Sequence, residues 1–426
     1  MKIFKLSLVA MLAIGTASFA ADNLADAFSN GKVKGEIKFM YVNGSDSDVG
    51  ANIITDDKNT AAVAMELNYI TDNYKGFKLG VSYQGGSDLS VHDKDDGSED
   101  DPRLSITDVG MHEAFLQYSI MKSTIKVGRQ IMRSPMILNS SRFPMKDSMD
   151  GATIVSKLIP KTLVKLFYIK EWNKRYGNAG NSAKATQQDF RFDDPLTSIY
   201  INNRSIKNLT LDGQYMTTNQ EGVVGDLPVV IVDGYDQYFA RASYKLPITL
   251  PLSLGAIYGG ASFNNSMYSD ASFYGATIGT KLKKVKLDLA YTSVNDDMDF
   301  PGTIGQVPDT LLYTNMLINQ SIYAGVSAVS LKANYNFDIK GLTSSVKYGY
   351  LDQSEEGMKN TKFANSKTHV KFPIGTVNEI NLDMKYKFSG ELKGLSTKLA
   401  AGYASSDIDV DENTNTYFQY SINYNF

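Results

Sequence analysis

The chain has 426 residues, a formal net charge of −3 and no cysteine, with 26 Tyr, 20 Phe and 34 Gly but only 11 Pro. The near-neutral charge gives no reason to expect a nucleic-acid partner, and the lack of cysteine excludes a disulfide framework and thiol chemistry. The length exceeds one ordinary soluble domain, and the composition favours a single large β architecture over two or three domains.

The first 20 residues have the features of a secretory signal. Lys2 and Lys5 precede an apolar run at 6–14, and small residues lead to Ala20. We therefore expect a signal peptide over 1–20, cleaved after Ala20. The alternative is an N-terminal membrane anchor, but the run is too short to span a bilayer. We expect residues 21–32 to form a short periplasmic lead-in before the first strand of the barrel.

Apolar and polar residues alternate in about 18 segments between residue 33 and the C-terminus. A period of two indicates strands with one apolar face. The clear segments are 33–42, 62–70, 77–84, 284–292, 330–337, 344–351, 379–388, 395–403 and the last eleven residues. Weaker segments are 112–120, 123–131, 151–159, 162–170, 195–204, 207–216, 235–246, 250–259 and 271–282.

The connections between these segments alternate between short and long, eight short and nine long. This rhythm predicts an all-β fold, a transmembrane antiparallel up-and-down β-barrel of about 18 strands over 33–426. Its short turns would be periplasmic and its long loops external. In many strands the apolar face ends in an aromatic residue, as expected for the aromatic girdles at the two membrane interfaces. A soluble β-sandwich is the alternative, but it needs neither feature.

The C-terminal segment alternates aromatic residues with Gln419, Ser421, Asn423 and Asn425. We expect it to close the barrel by pairing with the first strand. Phe426, with Tyr424, is predicted to be the signal by which the barrel assembly machinery recognises the chain.

The residues that alternate with the apolar ones in each strand are predicted to line the wall of a pore, and among them cations outnumber acids. The predicted pore-lining residues are Lys126, Lys165, Arg204, Arg241 and Lys245 with Glu66, Glu113 and Asp212. A basic wall favours anions. The alternative is that many of these lysines lie near the periplasmic rim and serve only solubility. All eight arginines precede residue 242, which predicts guanidinium groups along one wall.

The third long connection, near 132–150, is unusually apolar for an exposed loop, so we expect it to fold into the barrel. Its predicted constriction residues are Arg133, Arg142, Lys146, Asp147 and Asp150. A packed surface loop is the alternative. Arg129 shares the lipid-facing phase of Val127. Either the strand ends there, or it carries a bulge, or Arg129 lies at the outer rim.

Residues 113–154 resemble a segment of OprD-type outer-membrane porins. The matching features are KVGRQ at 126–130, the N-x-S-R pattern at 139–142 and Asp150-Gly151. The resemblance implies an 18-stranded porin with an inward third loop, a basic ladder and passage of small polar solutes, often carboxylate-bearing. Ser140, Ser141 and the methionines around them depart from the family pattern, so no substrate pocket is carried over.

The expected function is therefore an outer-membrane porin of a Gram-negative bacterium, a water-filled channel for passive diffusion of small polar solutes and ions, with a preference for anionic or carboxylate-bearing solutes. The alternative is an adhesin or structural protein that acts through its long loops. The expected partners are outer-membrane lipid, lipopolysaccharide, the assembly machinery, small polar solutes and a homotrimer, without nucleic acid.

Catalysis is not expected. The three histidines, His92, His112 and His369, have no spacing typical of a metal set or a catalytic triad. No cofactor and no metal are predicted. The acidic segment 92–101 could bind calcium, but it misses the usual ligand register.

Overall fold

The computed structural model describes residues 21–46, 58–89, 108–138, 144–173, 190–219, 234–266, 268–304, 311–361, 374–407 and 413–426. The predicted signal at 1–20, the acidic segment 92–101 and Arg142 lie outside these residues. Within them, no helix has the length and apolar character needed to cross a bilayer.

Eighteen strands account for most of the described chain. They are β1 Lys32–Asp46, β2 Lys58–Ile70, β3 Phe77–Asp88, β4 Asp108–Ile120, β5 Ser123–Gln130, β6 Ser148–Ser156, β7 Thr162–Asn173, β8 Phe190–Asn203, β9 Leu209–Thr218, β10 Tyr235–Lys245, β11 Leu252–Phe263, β12 Ala271–Leu282, β13 Val285–Val294, β14 Val326–Tyr335, β15 Leu342–Gln353, β16 Thr376–Lys387, β17 Leu395–Ser406 and β18 Asn413–Asn425. The chain also has two short helices, α1 Leu24–Ser29 and α2 Glu355–Asn360. Their N-cap residues are Asn23 and Ser354, whose side chains accept a hydrogen bond from an N–H of the first turn.

Each strand pairs antiparallel with its neighbours in the chain, and β1 pairs with both β2 and β18. The sheet is therefore a closed barrel without a free edge, which satisfies the backbone groups that lipid could not. The predicted 18-stranded up-and-down fold is confirmed. The short turns all lie at one end of the barrel, called here the short-turn end, and the long loops lie at the other, the long-loop end.

The two faces of the strands differ as the alternation predicts. On β18, Phe418 and Ile422 are 36% and 37% exposed on the outer face, whereas Gln419 and Ser421 are 2% and 3% exposed on the inner one. Aromatic side chains also form a belt on the outer face of β9 to β13. Its members are Tyr215, Tyr238, Tyr258, Tyr274 and Tyr291. Such a belt matches the depth of an interface between lipid and water.

The chain terminus completes the closure. The N–H of Phe426 donates to the carbonyl of Gly35 at 3.0 Å, and the N–H of Gly35 donates to the carbonyl of Phe426 at 2.9 Å. The Phe426 ring covers Gly35 so closely that a Cβ at this position would lie 2.2 Å from the ring. A larger residue at position 35 would displace the ring.

Two long connections fold into the barrel and contribute buried residues to its apolar core. Loop L3 (131–147) joins β5 to β6, and its Met136 and Ile137 are fully buried. Loop L7 (295–325) joins β13 to β14, and Phe300 and Ala324 within it are fully buried. The inward course of L7 is a finding that the sequence analysis missed, since it placed this segment among the external loops.

Candidate pore site

The first half of L3 is held against the wall formed by β7, β8 and β9. The Gln214 side chain of β9 accepts from the N–H of Met136 at 3.1 Å and donates to the Ser134 and Ser198 hydroxyls at 2.8 and 2.9 Å. Lys165 of β7 donates to the carbonyl of Arg133 at 2.8 Å. The predicted pore-lining Lys165 therefore binds the loop backbone.

The second half of L3 is held by charge. Glu36 and Glu66 lie directly opposite each other on β1 and β2, where two carboxylates repel each other. The ammonium group of Lys146 donates to Glu36 at 2.9 Å and also contacts Glu66. The Gln84 side chain adds two hydrogen bonds to the backbone of Lys146, at 2.7 and 3.0 Å. Asp147 is buried beside them.

The charge state of Lys146 follows from this setting. Burial alone would lower the pKa of Lys146, but Glu66 and Glu36 outweigh that effect and raise the pKa above its usual range. Lys146 is therefore an ammonium ion at neutral pH, and it neutralises one of the two opposed carboxylates.

Loop L7 is held by one buried carboxylate and one lysine. Glu379 of β16 is only 1% exposed and accepts from the N–H groups of Leu317, Ile318 and Asn319 at 2.8 to 2.9 Å. Lys347 of β15 donates to the carbonyls of Tyr313 and Asn315 at 3.0 and 2.7 Å. These two side chains fix the middle of the loop to the barrel wall.

Apolar packing holds the remainder of L7. Phe300 meets Phe273 of β12 edge to face, with ring centroids 4.6 Å apart. Further buried apolar residues of the loop are Leu311, Leu312, Met316, Ile318, Ile322 and Tyr323. The apolar run at 311–318, LLYTNMLI, is the sequence signal that could have revealed this inward course, since such a run would be poorly solvated outside.

The two loops meet inside the barrel. Ile137 and Ile304 form a parallel bridge, in which the N–H of Leu138 donates to the Ile304 carbonyl at 2.8 Å and the N–H of Ile304 donates to the Met136 carbonyl at 3.0 Å. The side chain of Gln237 on β10 donates to the Gly302 carbonyl. L3 and L7 therefore cross part of the lumen as one connected structure.

Several predicted lining residues face the lumen as ion pairs. Arg241 binds Asp212 through two hydrogen bonds of 3.0 and 2.7 Å, and the Tyr200 hydroxyl donates to the same carboxylate at 3.3 Å. Lys126 lies 3.9 Å from Glu113 and over the ring of Phe115. These pairs contribute little net charge to the wall.

The predictions for Arg204 and Lys245 need correction. Arg204 lies in the turn after β8, and Lys245 is the last residue of β10. Both are exposed at the short-turn end, so they lie at the mouth of the barrel and do not line its wall.

The prediction for Asp150 was wrong. Asp150 belongs to β6 and shares the outward phase of Ile154, where it accepts from Arg129 at 2.9 Å. Glu171 of β7 lies 4.0 Å from the same guanidinium group. Arg129 is therefore at the outer rim, which was one of the three alternatives for this residue.

The arginines that the structure describes do not lie along one wall. Of those that the structure describes, Arg241 faces the lumen midway along a strand, whereas Arg133 is in L3 and Arg204 is in a turn. Arg129 and Arg191 face outward at the long-loop end. The second half of the barrel instead carries inward lysines on β13 to β17. They are Lys286, Lys332, Lys347, Lys385 and Lys398.

These lysines include two like-charge pairs on neighbouring strands. Lys332 lies directly opposite Lys347, and Lys385 lies directly opposite Lys398. Lys398 has a carboxylate partner, Asp383, at 2.8 Å. In the described part of the chain, no carboxylate oxygen lies within 4.0 Å of the ammonium groups of Lys332 and Lys385. The described residues also contain no cluster of His, Asp and Glu able to hold a metal ion.

Comparison with known proteins gives the family. Residues 73–426 match the family described as outer membrane porin, OprD family. Among solved structures, Pseudomonas aeruginosa OpdK with vanillate has a TM-score of 0.72 at 12% identity, covering 94% of this chain and 99% of that one. Pseudomonas aeruginosa OpdO has a TM-score of 0.70 at 15% identity, with 94% and 98% covered. Acinetobacter baumannii OccAB4 has a TM-score of 0.69 at 16% identity, with 95% and 100% covered.

A comparison with curated proteins found no match. At these identities the solved structures show the fold alone, and the family match covers most of the chain. The protein belongs to the OprD family of outer membrane porins and is a β-barrel channel of the Gram-negative outer membrane through which small polar solutes pass.

Proposed function

We propose that this porin favours small anionic solutes that carry a carboxylate. The observation that supports it is the pair of opposed lysines on β14 and β15 and the second pair on β16 and β17. Directly opposite cations repel, so an anion that enters between them lowers the electrostatic free energy. The ion pairs elsewhere on the wall have no comparable effect.

The chemistry of a similar structure is consistent with this proposal. OpdK was solved with vanillate, an aromatic carboxylate. Asp288 lies directly opposite Lys332, and Asp383 pairs with Lys398, but the inward lysines on β13 to β17 outnumber the inward carboxylates there. In a narrow lumen with low-dielectric walls, such an excess of ammonium groups raises the local concentration of anions.

We also propose that L3 and L7 together set the constriction, with Arg133, Lys146 and Asp147 on the L3 side and Arg142 as a further member. The Nε of Arg133 is buried, and it has no hydrogen-bond partner among the described residues. A buried guanidinium donor without a partner is costly, and a passing carboxylate would satisfy it.

The remaining expectations also stand as proposals. They are export with loss of residues 1–20, the surrounding lipopolysaccharide and phospholipid, and a homotrimer, which native mass spectrometry would test. The absence of catalysis is likewise a prediction. A hydrolytic activity that copurifies with the barrel would overturn it.

The lysine proposal is tested by the variant Lys332→Gln/Lys385→Gln in planar bilayers. We expect the anion-to-cation permeability ratio, measured from reversal potentials, to fall about threefold. Lys347 stays intact in this variant, so L7 keeps its anchor. Lys340→Gln is the matched control, because Lys340 is exposed in the turn before β15 and removing its charge should leave selectivity unchanged. Equal selectivity in all three proteins would reject the proposal.

The assembly role of Phe426 is tested by deleting that residue. The contacts of Phe426 with Gly35 support a role in closing the barrel. We expect the amount of heat-modifiable barrel in the membrane to drop, while the barrels that do assemble keep their conductance. Normal amounts of assembled protein would contradict the proposal.

A further inference from the structure

The outer wall of the barrel has an apolar groove across β2, β3 and β4. Its volume is ≈ 460 Å³, and its walls are formed by Met65, Leu67, Tyr83 and Val109. Met65 and Tyr83 are about half exposed, at 47% and 51%. The groove is therefore open toward the lipid.

Glycine creates the depression. Gly85 lies in the outward phase of Tyr83, directly opposite the exposed Val109, and contributes no side chain to the floor of the groove. A register shift between β3 and β4 at Ser82 and Tyr83 lies next to the groove. Bulges of this kind bend the sheet locally and widen such a depression.

The groove lies at the depth of the outer leaflet. Val109 is the second residue of β4, which begins at the extracellular end, and Gly85 lies three residues before the end of β3. A lipid of the periplasmic leaflet would contact the opposite ends of these strands.

Charged side chains form a row beside the groove. Arg129 donates to the carbonyl of Met111, and Met111 lies directly opposite Tyr83, a groove residue. From Arg129 the row continues in register through Asp150 of β6, Glu171 of β7 and Arg191 of β8, all on the outward face. The groove and the row are continuous with the lipid-facing wall of the barrel.

We propose that the groove binds an acyl chain of lipopolysaccharide, whose phosphorylated saccharide lies against the row of Arg129, Asp150, Glu171 and Arg191. This inference rests on the outer-membrane location and deepens the proposed lipopolysaccharide partner. An acyl chain is narrow enough to enter the groove and buries apolar surface there. The row offers guanidinium donors to phosphate and carboxylate acceptors to sugar hydroxyls.

The shape of the groove favours this occupant over a second copy of the barrel. The outer wall of another barrel is convex and broad, so it could cover the groove but could not reach its floor at Gly85. A phospholipid of the outer leaflet could fill the groove but has no saccharide to meet the carboxylates of the row.

The test is native mass spectrometry of the full-length mature barrel in detergent with added lipopolysaccharide or phosphatidylethanolamine. Gly85→Leu fills the groove, and we expect it to weaken lipopolysaccharide binding about fivefold, as loss of roughly 40 Å² of apolar burial implies. Ala276→Leu is the matched control, because Ala276 is exposed on the outward face of β12. It should bind as the unchanged protein does.

A second variant keeps the test decisive if a glycine substitution impairs assembly. Arg191→Gln removes one exposed guanidinium group of the row, and we expect about twofold weaker lipopolysaccharide binding with phosphatidylethanolamine binding unchanged. Ion selectivity should stay the same in every variant, which separates failure of this inference from failure of the pore proposal. Three results would each overturn the inference: lipopolysaccharide binding that is undiminished in the variants, binding of phosphatidylethanolamine to the unchanged barrel as strong as that of lipopolysaccharide, or a dimer of the unchanged barrel that Gly85→Leu abolishes.

Discussion

L3 and L7 both fold into the barrel, but different forces hold them there. The second half of L3 is held by the ammonium group of Lys146 between two opposed carboxylates and by two hydrogen bonds between the Gln84 side chain and the Lys146 backbone. L7 combines the buried Glu379, which accepts several backbone N–H groups, with a large apolar core around Phe300. Charge pairing therefore has a larger part in placing the second half of L3, whereas L7 is placed by burial together with satisfied hydrogen bonds.

The largest effect is expected at Glu379. Glu379→Ala would leave the N–H groups of Ile318 and Asn319 without this acceptor inside the barrel, at about 1–3 kcal/mol each, whereas Asn381 still accepts from the N–H of Leu317 at 3.0 Å. L7 should detach locally while the barrel stays assembled, and single-channel recordings should show higher and noisier conductance. Asp383→Asn is the matched control, because Asp383 is a more exposed carboxylate on the same strand whose ion pair is with Lys398 and not with L7. Quiet currents of unchanged amplitude in Glu379→Ala would mean that L7 does not obstruct the pore.

A smaller effect is expected at Lys146. Lys146→Met removes the ammonium group that contacts both Glu36 and Glu66 and leaves Glu36 with the more distant Lys38 at 3.9 Å, at about 2 kcal/mol, because the groups are only partly exposed to solvent. We expect L3 to move and conductance substates to appear, with L7 unaffected. Adding Glu66→Gln to Lys146→Met should restore part of the native conductance, because it removes the repulsion. If the double variant behaves like Lys146→Met alone, the opposed carboxylates are not what holds L3.

The two loops also differ in how well the sequence predicted them. L3 was recognised because charged residues such as Lys146 stand in an apolar segment, and alternation along β2 correctly placed Glu66 on the inward face. That Lys146 meets both Glu66 and Glu36 was beyond prediction, since the opposition of these two carboxylates depends on the strand register around the closed barrel. L7 was missed because its polar start at 293–299 is typical of an external loop and outweighed the apolar run at 311–318.

Errors at single residues have a common cause in the strand boundaries. β6 begins at Ser148, three residues before the predicted start, so Asp150 follows strand alternation and faces outward. β8 ends at Asn203, which puts Arg204 in the turn. Side-chain direction within a strand is predictable from alternation, whereas direction at its ends depends on where pairing stops.

The anion preference is tested most directly by the reversal potential of the unmodified porin in a planar bilayer under a KCl gradient. The opposed lysines on β14 to β17 predict a reversal potential of the sign that a chloride-selective pore gives, with currents reduced by added benzoate or vanillate. A potassium-selective reversal potential, or no effect of these carboxylates, would contradict the account.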